Sequence, residues 1–453
     1  MVMAGPSGGG KSTAALGLAG LLGEPVAGAL EGEVTLDGRD GGGVSLVQQD
    51  PDSHLVTLTV LDEVAFGPEN LALPREEVHR RVEASLEAVH AYHLVDRPTN
   101  ELSGGEKQRV AIASVLAMEP DVLVLDEPSA NLDPGGRQDV LSLALELVAE
   151  GDRALVVSEH RLDRIAERAR ETIVLDRGEV AWRGTFDQMM DDAEDLSARG
   201  LRVPGRPDLL GIDRTDATPG GTVLEVEGLV SGYGETQVLD GVDLTVREGE
   251  IVGLVGPNGG GKTTLLRCIL GLGDIWDGRV MVSGLDASEE VTSRLAEEAG
   301  LVFQTPNHQL FERTVRAEME FGPRNLGMDS EWMDWRVVNL AGEYALSDLM
   351  EVHPFRLSLG QKRRLNVASV QASSPSFVML DEPFIGQDLG NVRALNRGLQ
   401  EARGEGTAVL VVSHDLEVLS LMCDRAVVLE GGRTRELEDP ASLGEGMTRG
   451  VGP

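Results

Sequence analysis

Apolar residues fall along this chain in short uninterrupted runs, each ending in a turn or a polar cluster. "VLVLD" (Val122–Asp126) and "FVMLD" (Phe377–Asp381) read as strands buried on both faces. "ALVVS", "AVLVVS" and "IVGLVG" read the same way, which predicts a parallel sheet. "VLEVEGL" and "VDLTVREGE" alternate polar and apolar positions and predict half-buried strands ahead of Gly256. Helices are predicted for "STAALGLAGLL", "TTLLRCILGL" and "VAIASVLAM". Between Asp191 and Gly221 no period is sustained, and Gly, Pro and charge dominate. The pattern therefore predicts two α/β domains, 1–195 and 222–453, joined by a linker over 196–221 with at most a short helical turn.

The two halves are one unit written twice. Gln49, Ser103 and Asp126 recur as Gln304, Ser358 and Asp381, each 255 residues on, and His160 recurs as His414. Gly5 recurs as Gly256 after 251 residues, so the second copy carries about four extra residues before its glutamine. From Leu224 to Gly256 there is room for strands that the first copy, with four residues before Gly5, does not have. The first copy is thus expected to lack its leading antiparallel strands and most of the strand feeding its first motif. A misassigned start site or a lost N-terminus is the expected origin.

"GPSGGGKS" (Gly5–Ser12) and "GPNGGGKT" (Gly256–Thr263) fit G-x-x-x-x-G-K-[ST]. Gly5, Gly8 and Gly10, with Gly256, Gly259 and Gly261, let backbone N–H groups wrap phosphate oxygens, and the following helices point their N-termini at the anion. Lys11 and Lys262 then reach the β- and γ-phosphates, and the Ser12 and Thr263 hydroxyls reach Mg²⁺. Thr13 and Thr264 follow on the same turns. Asp126 and Asp381 end their strands where α/β folds place ligands and are expected to hold Mg²⁺ through water, with Glu127 and Glu382 orienting an attacking water. "LSGGEKQR" and "LSLGQKRR" open helices with the capping boxes Ser103/Glu106 and Ser358/Gln361, each serine 23 residues before its aspartate.

That combination resembles the ATP-binding-cassette ATPases, over the whole chain outside the linker. The resemblance implies a P-loop α/β core, an antiparallel β subdomain (largely missing from the first copy) and a helical subdomain per cassette. It implies ATP and Mg²⁺ as cofactors and head-to-tail closure on two nucleotides. Ser103 and Gly105 would then cover the ATP on Lys262, and Ser358 and Gly360 the ATP on Lys11. Gln49 and Gln304 would touch Mg²⁺ and sense a transmembrane partner, His160 and His414 would contact γ-phosphate, and Asp133 and Asp388 would cross the dimer interface. Tyr233 resembles the adenine-stacking aromatic. The second signature has Leu359 where the first has Gly104, and its loop reads "FIGQD" against "SANLD". The pocket of Lys11, Glu127 and "LSLGQ" departs further from the family pattern than that of Lys262, Glu382 and "LSGGE".

Each glutamine opens Q-x-P, followed by a histidine-containing pair, T-V and F-G-P-x-N, which resembles the ATPase pair of energy-coupling-factor importers for vitamins and transition-metal ions. This implies a membrane T component docking near Gln49 and Gln304, a substrate-binding S component, and a place on the cytoplasmic face of the membrane. Other ABC importers, or a soluble tandem cassette acting on ribosomes or nucleic acid, are the alternatives. On its own, F-G-P-x-N could shape a helix start, with Pro68 and Pro323 ending the preceding segment.

Composition narrows the picture. No apolar run reaches the length needed to cross a bilayer, so any membrane role works through another subunit. Asp plus Glu total 76 against 40 Lys plus Arg, a net −36, which disfavours polyanion binding through bulk charge. The four lysines, Lys11, Lys107, Lys262 and Lys362, all lie in the motifs above; an acidic surface with arginine in place of lysine resembles proteins of salt-accumulating halophiles. Cys268 and Cys423 lie 155 residues apart and read as buried hydrophobes, not metal ligands. His90 and His93 read as solvent-facing.

Overall fold

The computed structural model describes residues 1–437 except 24, 25, 27, 37–42, 131, 133, 150–152 and 216. It divides into two units, Met1–Leu209 and Leu210–Pro453.

In the first unit the predicted runs become β1 (Val2–Ala4), β2 (Val44–Val47), β3 (Val122–Asp126), β4 (Ala154–Ser158), β5 (Thr172–Asp176) and β6 (Glu179–Gly184). They form one sheet in the order β2-β3-β4-β1-β5-β6, parallel except for the edge strand β6. Leu123, Val124 and Leu125 are fully buried, as strands covered on both faces require. Short as it is, β1 pairs with both β4 and β5, so it delivers Gly5 to the centre of the sheet.

The second unit repeats this sheet as β12-β13-β14-β9-β15-β16, built from β9 (Ile251–Val255), β12 (Ala299–Val302), β13 (Phe377–Asp381), β14 (Ala408–Val412), β15 (Arg425–Glu430) and β16 (Arg433–Leu437). It adds a four-stranded antiparallel sheet, β11-β10-β7-β8, of β7 (Thr222–Tyr233), β8 (Thr236–Arg247), β10 (Ile275–Val282) and β11 (Leu285–Asp286). Among the described residues the first unit has no counterpart of that sheet. Its P-loop helix consequently has a thinner cover: Thr13 is exposed where Thr264 is buried.

A helical layer stands beside each parallel sheet. In the first unit it comprises Val60–Asn70, Arg75–Ala88 and Gly104–Leu116; in the second, Val315–Asn325, Ser330–Glu343 and Leu359–Ala372. Thr59 and Thr314 cap the first helix of each set, accepting from the amides of Asp62 and Ala317. F-G-P-x-N does not start a helix. Pro68 and Pro323 lie inside these helices near their ends, where Asn70 and Asn325 donate back to the carbonyls of Phe66 and Phe321. Gly67 and Gly322 allow close packing, since a Cβ there would meet Met118 Sδ or Ser373 Oγ at 2.4 Å.

The stretch expected as a linker is folded onto the units. Ala193–Ala198 is helical, Leu196, Leu201 and Val203 lie in the first core, and Leu210 and Ile212 lie in the second. Its apolar residues are too irregularly spaced to register as a periodic pattern. Cys268 and Cys423 are buried and unpaired. Among the described residues no helix is long and apolar enough to cross a membrane, and no cluster of side chains is arranged to hold a metal through His, Cys, Asp and Glu alone.

Candidate functional site

At the end of β1 the chain turns across β5. A Cβ on Gly5 would lie 2.0 Å from the Leu175 carbonyl oxygen, and one on Gly256 would lie 2.1 Å from that of Leu429, so only glycine lets the loop begin here. Gly10 and Gly261 cap the next helices in the left-handed conformation, with φ 105° and 96°. Each loop closes around its lysine. Lys11 Nζ donates to the carbonyls of Gly5 at 3.0 Å and Pro6 at 3.2 Å; Lys262 Nζ donates to Gly256 at 2.8 Å and Pro257 at 2.9 Å.

Next to each loop stand the two carboxylates that end β3 and β13. Glu127 and Glu382 both have positive φ, 47° and 50°, a strained state for a residue with a side chain and a frequent mark of a functional turn. Their surroundings differ. Glu127 receives Gln49 Nε2 at 2.7 Å and His160 Nε2 at 2.8 Å, and Lys11 Nζ lies 3.5 Å away. Burial pushes the Glu127 carboxyl up, but the bonds and charges of His160 and Lys11 overcome it and hold the group below the usual glutamate range. Glu382 accepts from the His414 amide at 3.1 Å, with His414 Nε2 3.3 Å away. There burial prevails over the His414 amide and Lys262, and the Glu382 carboxyl rises to about 7. Burial likewise raises Asp381. Thr263 Oγ1 lies 3.4 Å from Asp381 Oδ2, while Asp126 is bonded by Ser158 Oγ.

Ser103 and Ser358 form the predicted capping boxes with Glu106 and Gln361. Gly105 has open space around it, whereas Gly360 is packed so tightly that a Cβ would meet Asn391 Nδ2 at 2.2 Å. Tyr233 ends β7, half exposed, with its hydroxyl 3.3 Å from Thr264 Oγ1. Gln304 is exposed; its side chain is not drawn onto Glu382 as that of Gln49 is onto Glu127. Asp388 caps the helix Leu389–Gly404. Asp133 lies outside the described residues. His90 and His93 are exposed, with His90 beside Glu146.

Substituting Leu359 for Gly104 is accompanied by an exchange of volume. A Cβ on Gly104 would lie 3.6 Å from Leu132 Cδ2, and a Cβ on Gly386 would lie 3.6 Å from Leu359 Cδ2. One leucine fills this spot in each unit, supplied by the loop after the glutamate in the first and by the signature in the second.

Sequence reasoning missed two buried glutamates. Glu63 accepts from the amides of Val56 and Thr57, and Glu318 from those of Phe311 and Glu312, fixing the segment after each glutamine. Their signal was visible as a glutamate at the same position of both copies, four residues after the capping threonine.

A family profile for ABC transporters matches residues 1–130 and 239–385. The chain belongs to the ABC transporter ATP-binding family. Its cassettes bind and hydrolyse ATP. An ABC transporter ATP-binding protein of Methanosarcina mazei, itself named only as a candidate, is 35% identical over 98% of this chain and 84% of its own length. A candidate HMP/thiamine import ATP-binding protein of Bacillus subtilis, YkoD, is 35% identical over 95% of this chain and 84% of its own length. Among solved structures, an archaeal ribosome recycling factor, crystallised with an archaeal ribosomal stalk protein, matches with a TM-score of 0.66 at 22% identity, over 99% of this chain and 87% of that one. That likeness is one of fold alone.

Proposed function

We propose that this chain is the ATP-hydrolysing motor of an energy-coupling-factor importer for a vitamin or a transition-metal ion, working at the cytoplasmic face of the membrane with a transmembrane T component and a substrate-binding S component. One observation carries the reading. In both units the fold uses the glycine and asparagine of F-G-P-x-N and leaves its phenylalanine in solvent, Phe66 at 51% and Phe321 at 40% exposure. Val56 and Phe311, also at matching positions and ten residues upstream in each copy, are exposed as well, and the Phe311 and Phe321 rings meet edge to face at 4.6 Å. Apolar groups repeated after each glutamine and left unburied suit a partner's apolar segment. The kinship with a candidate HMP/thiamine import ATP-binding protein supports the substrate class.

In the proposed chemistry, the loop amides and Lys11 or Lys262 bind the phosphates of ATP, and Ser103, Gly105, Ser358 and Gly360 belong to the nucleotide-covering signatures. Glu127 and Glu382, helped by His160 and His414, orient the water that attacks the γ-phosphorus as the bond to the bridging oxygen breaks, leaving ADP and phosphate. Tyr233 stacks on the adenine. The oxygen donors Ser12, Asp126 and Gln49, and Thr263, Asp381 and Gln304, suit Mg²⁺, and the convergence of Thr263 with Asp381 fits it. That ion would neutralise charge on the phosphates. The acidic surface fits a salt-rich cytoplasm.

Co-purification with a membrane subunit carrying a T component tests the reading. Capture that is lost in the Phe66→Glu, Phe321→Glu protein, with ATP turnover retained, is the expected result. Salt-sensitive association with ribosomes and none with membrane subunits would replace this reading with the soluble one.

A further inference from the structure

Arg363 is the fifth residue of the helix Leu359–Ala372, and only 3% of it is exposed. Its guanidinium bridges two loops of the candidate site. Nη1 donates to the backbone carbonyl of Glu382, and Nη2 donates to that of Gln304 at 3.0 Å. Burial lowers its pKa to about 10 against the pull of Glu382 and Asp381, so it is charged at neutral pH. The corresponding residue of the first unit is Gln108, just as buried at 2% exposure, and its Nε2 has no hydrogen-bond partner among the described residues. The first unit thus lacks the bridge at that position.

A buried cation is costly unless its donors are used, and here two are spent on main-chain carbonyls flanking the reaction centre. Glu382 stands in a strained left-handed conformation, so fixing its carbonyl also fixes the direction in which its side chain leaves the strand. A planar guanidinium holds two acceptors at a set separation; an ammonium on a flexible stem does not. We propose that Arg363 is a positioning residue for hydrolysis in the second unit, clasping the Glu382 and Gln304 peptides to the signature helix so that the glutamate and the glutamine loop keep one spacing. This rests on the assignment of Glu382 to the attacking water.

The test is steady-state ATP turnover by the full chain. Arg363→Gln, which copies the first unit, is expected to lower kcat about tenfold while KM stays within about twofold, the pattern of a misplaced group in a formed site. Arg363→Lys is expected to recover part of the loss. In the Glu127→Gln background the same fall in kcat is expected, and in the Glu382→Gln background no further fall. An unchanged kcat in Arg363→Gln, a loss confined to KM, or an equal loss in the Glu382→Gln background overturns the proposal. Should Arg363→Gln fail to fold, as judged by its melting curve, Arg363→Lys decides: reduced kcat supports the clasp and unchanged kcat overturns it. If Glu382→Gln alone leaves turnover intact, the assignment of Glu382 falls; if it abolishes turnover while Arg363→Gln does nothing, only the clasp falls.

Discussion

The two copies set the same glutamate at the same strand end and then treat it in opposite ways. Glu127 is gathered into a polar knot of Gln49, His160 and Lys11, which stabilises its charge. Glu382 is buried with fewer compensating bonds, which favours its proton, and its backbone is tied to Arg363 instead. The lesson is that duplicated motifs can keep their letters while their electrostatics diverge, because the deciding neighbours lie outside the motif. His160 Nε2 lies 2.8 Å from the Glu127 carboxylate with Lys11 at 3.5 Å, whereas His414 Nε2 stands 3.3 Å from Glu382, where burial prevails.

The largest expected effect breaks the comparison at its centre. Glu382→Gln is expected to reduce kcat for ATP by about 10²-fold, and Glu127→Gln by less than about tenfold. Steady-state turnover of the two proteins measures this, and equal losses defeat the asymmetry. The double variant should fall short of the product of the two losses, because residues acting together do not contribute additively.

Next comes stability against pH, in nucleotide-free protein. Glu382 has a folded pKa raised above its unfolded value, so its contribution is full below about 4.5 and is lost as pH rises through about 7. Removing the ionisable group should therefore stabilise the protein at pH 8, by about 1–3 kcal/mol, and change little at pH 5. Glu127 is the reverse: its folded pKa is depressed, so its stabilising contribution is present above the ordinary glutamate range and fades as pH falls through the folded value. Glu127→Gln should destabilise at pH 8. Denaturant melts at the two pH values check both signs, and the same sign for both substitutions would refute the contrast.

Much of the fold was legible because its signals are local. Apolar runs ending in Asp-Glu became β3 and β13, and S-x-x-E/Q became two capping boxes. What escaped depends on contacts distant in sequence. An arginine inside a helix reads as a solvent-facing cation, and nothing local reveals that Arg363 meets carbonyls 19 and 59 residues away. The proline of F-G-P-x-N reads as a boundary, yet a helix tolerates it near its end when glycine permits close packing and asparagine bonds backward. Opposite pKa shifts at Glu127 and Glu382 follow from His160, Lys11 and burial, none of which the D-E-P motif encodes.

Signature glycines sharpen the comparison at a smaller scale. Gly360→Ala sets a Cβ against Asn391 and Gln387 and should cost about 1–2 kcal/mol. Gly105→Ala meets open space and should be neutral or stabilise by about 0.5 kcal/mol through helix propensity. Thermal melts of the two variants measure the difference, and equal costs would show that the tighter packing at Gly360 relaxes freely.

The smallest effect concerns the exchanged leucine. Leu132 packs against the first core, whereas Leu359 is 39% exposed. Leu132→Ala should cost about 1 kcal/mol, and Leu359→Ala should stay within about 0.5 kcal/mol of the parent, as exposed substitutions do. A larger cost for Leu359 would mean that its contact over Gly386 carries packing energy, making the exchange a full relocation of core volume. The small cost expected instead implies that the leucine moved outward in the second unit, leaving the signature's geometry to its capping box and to Arg363.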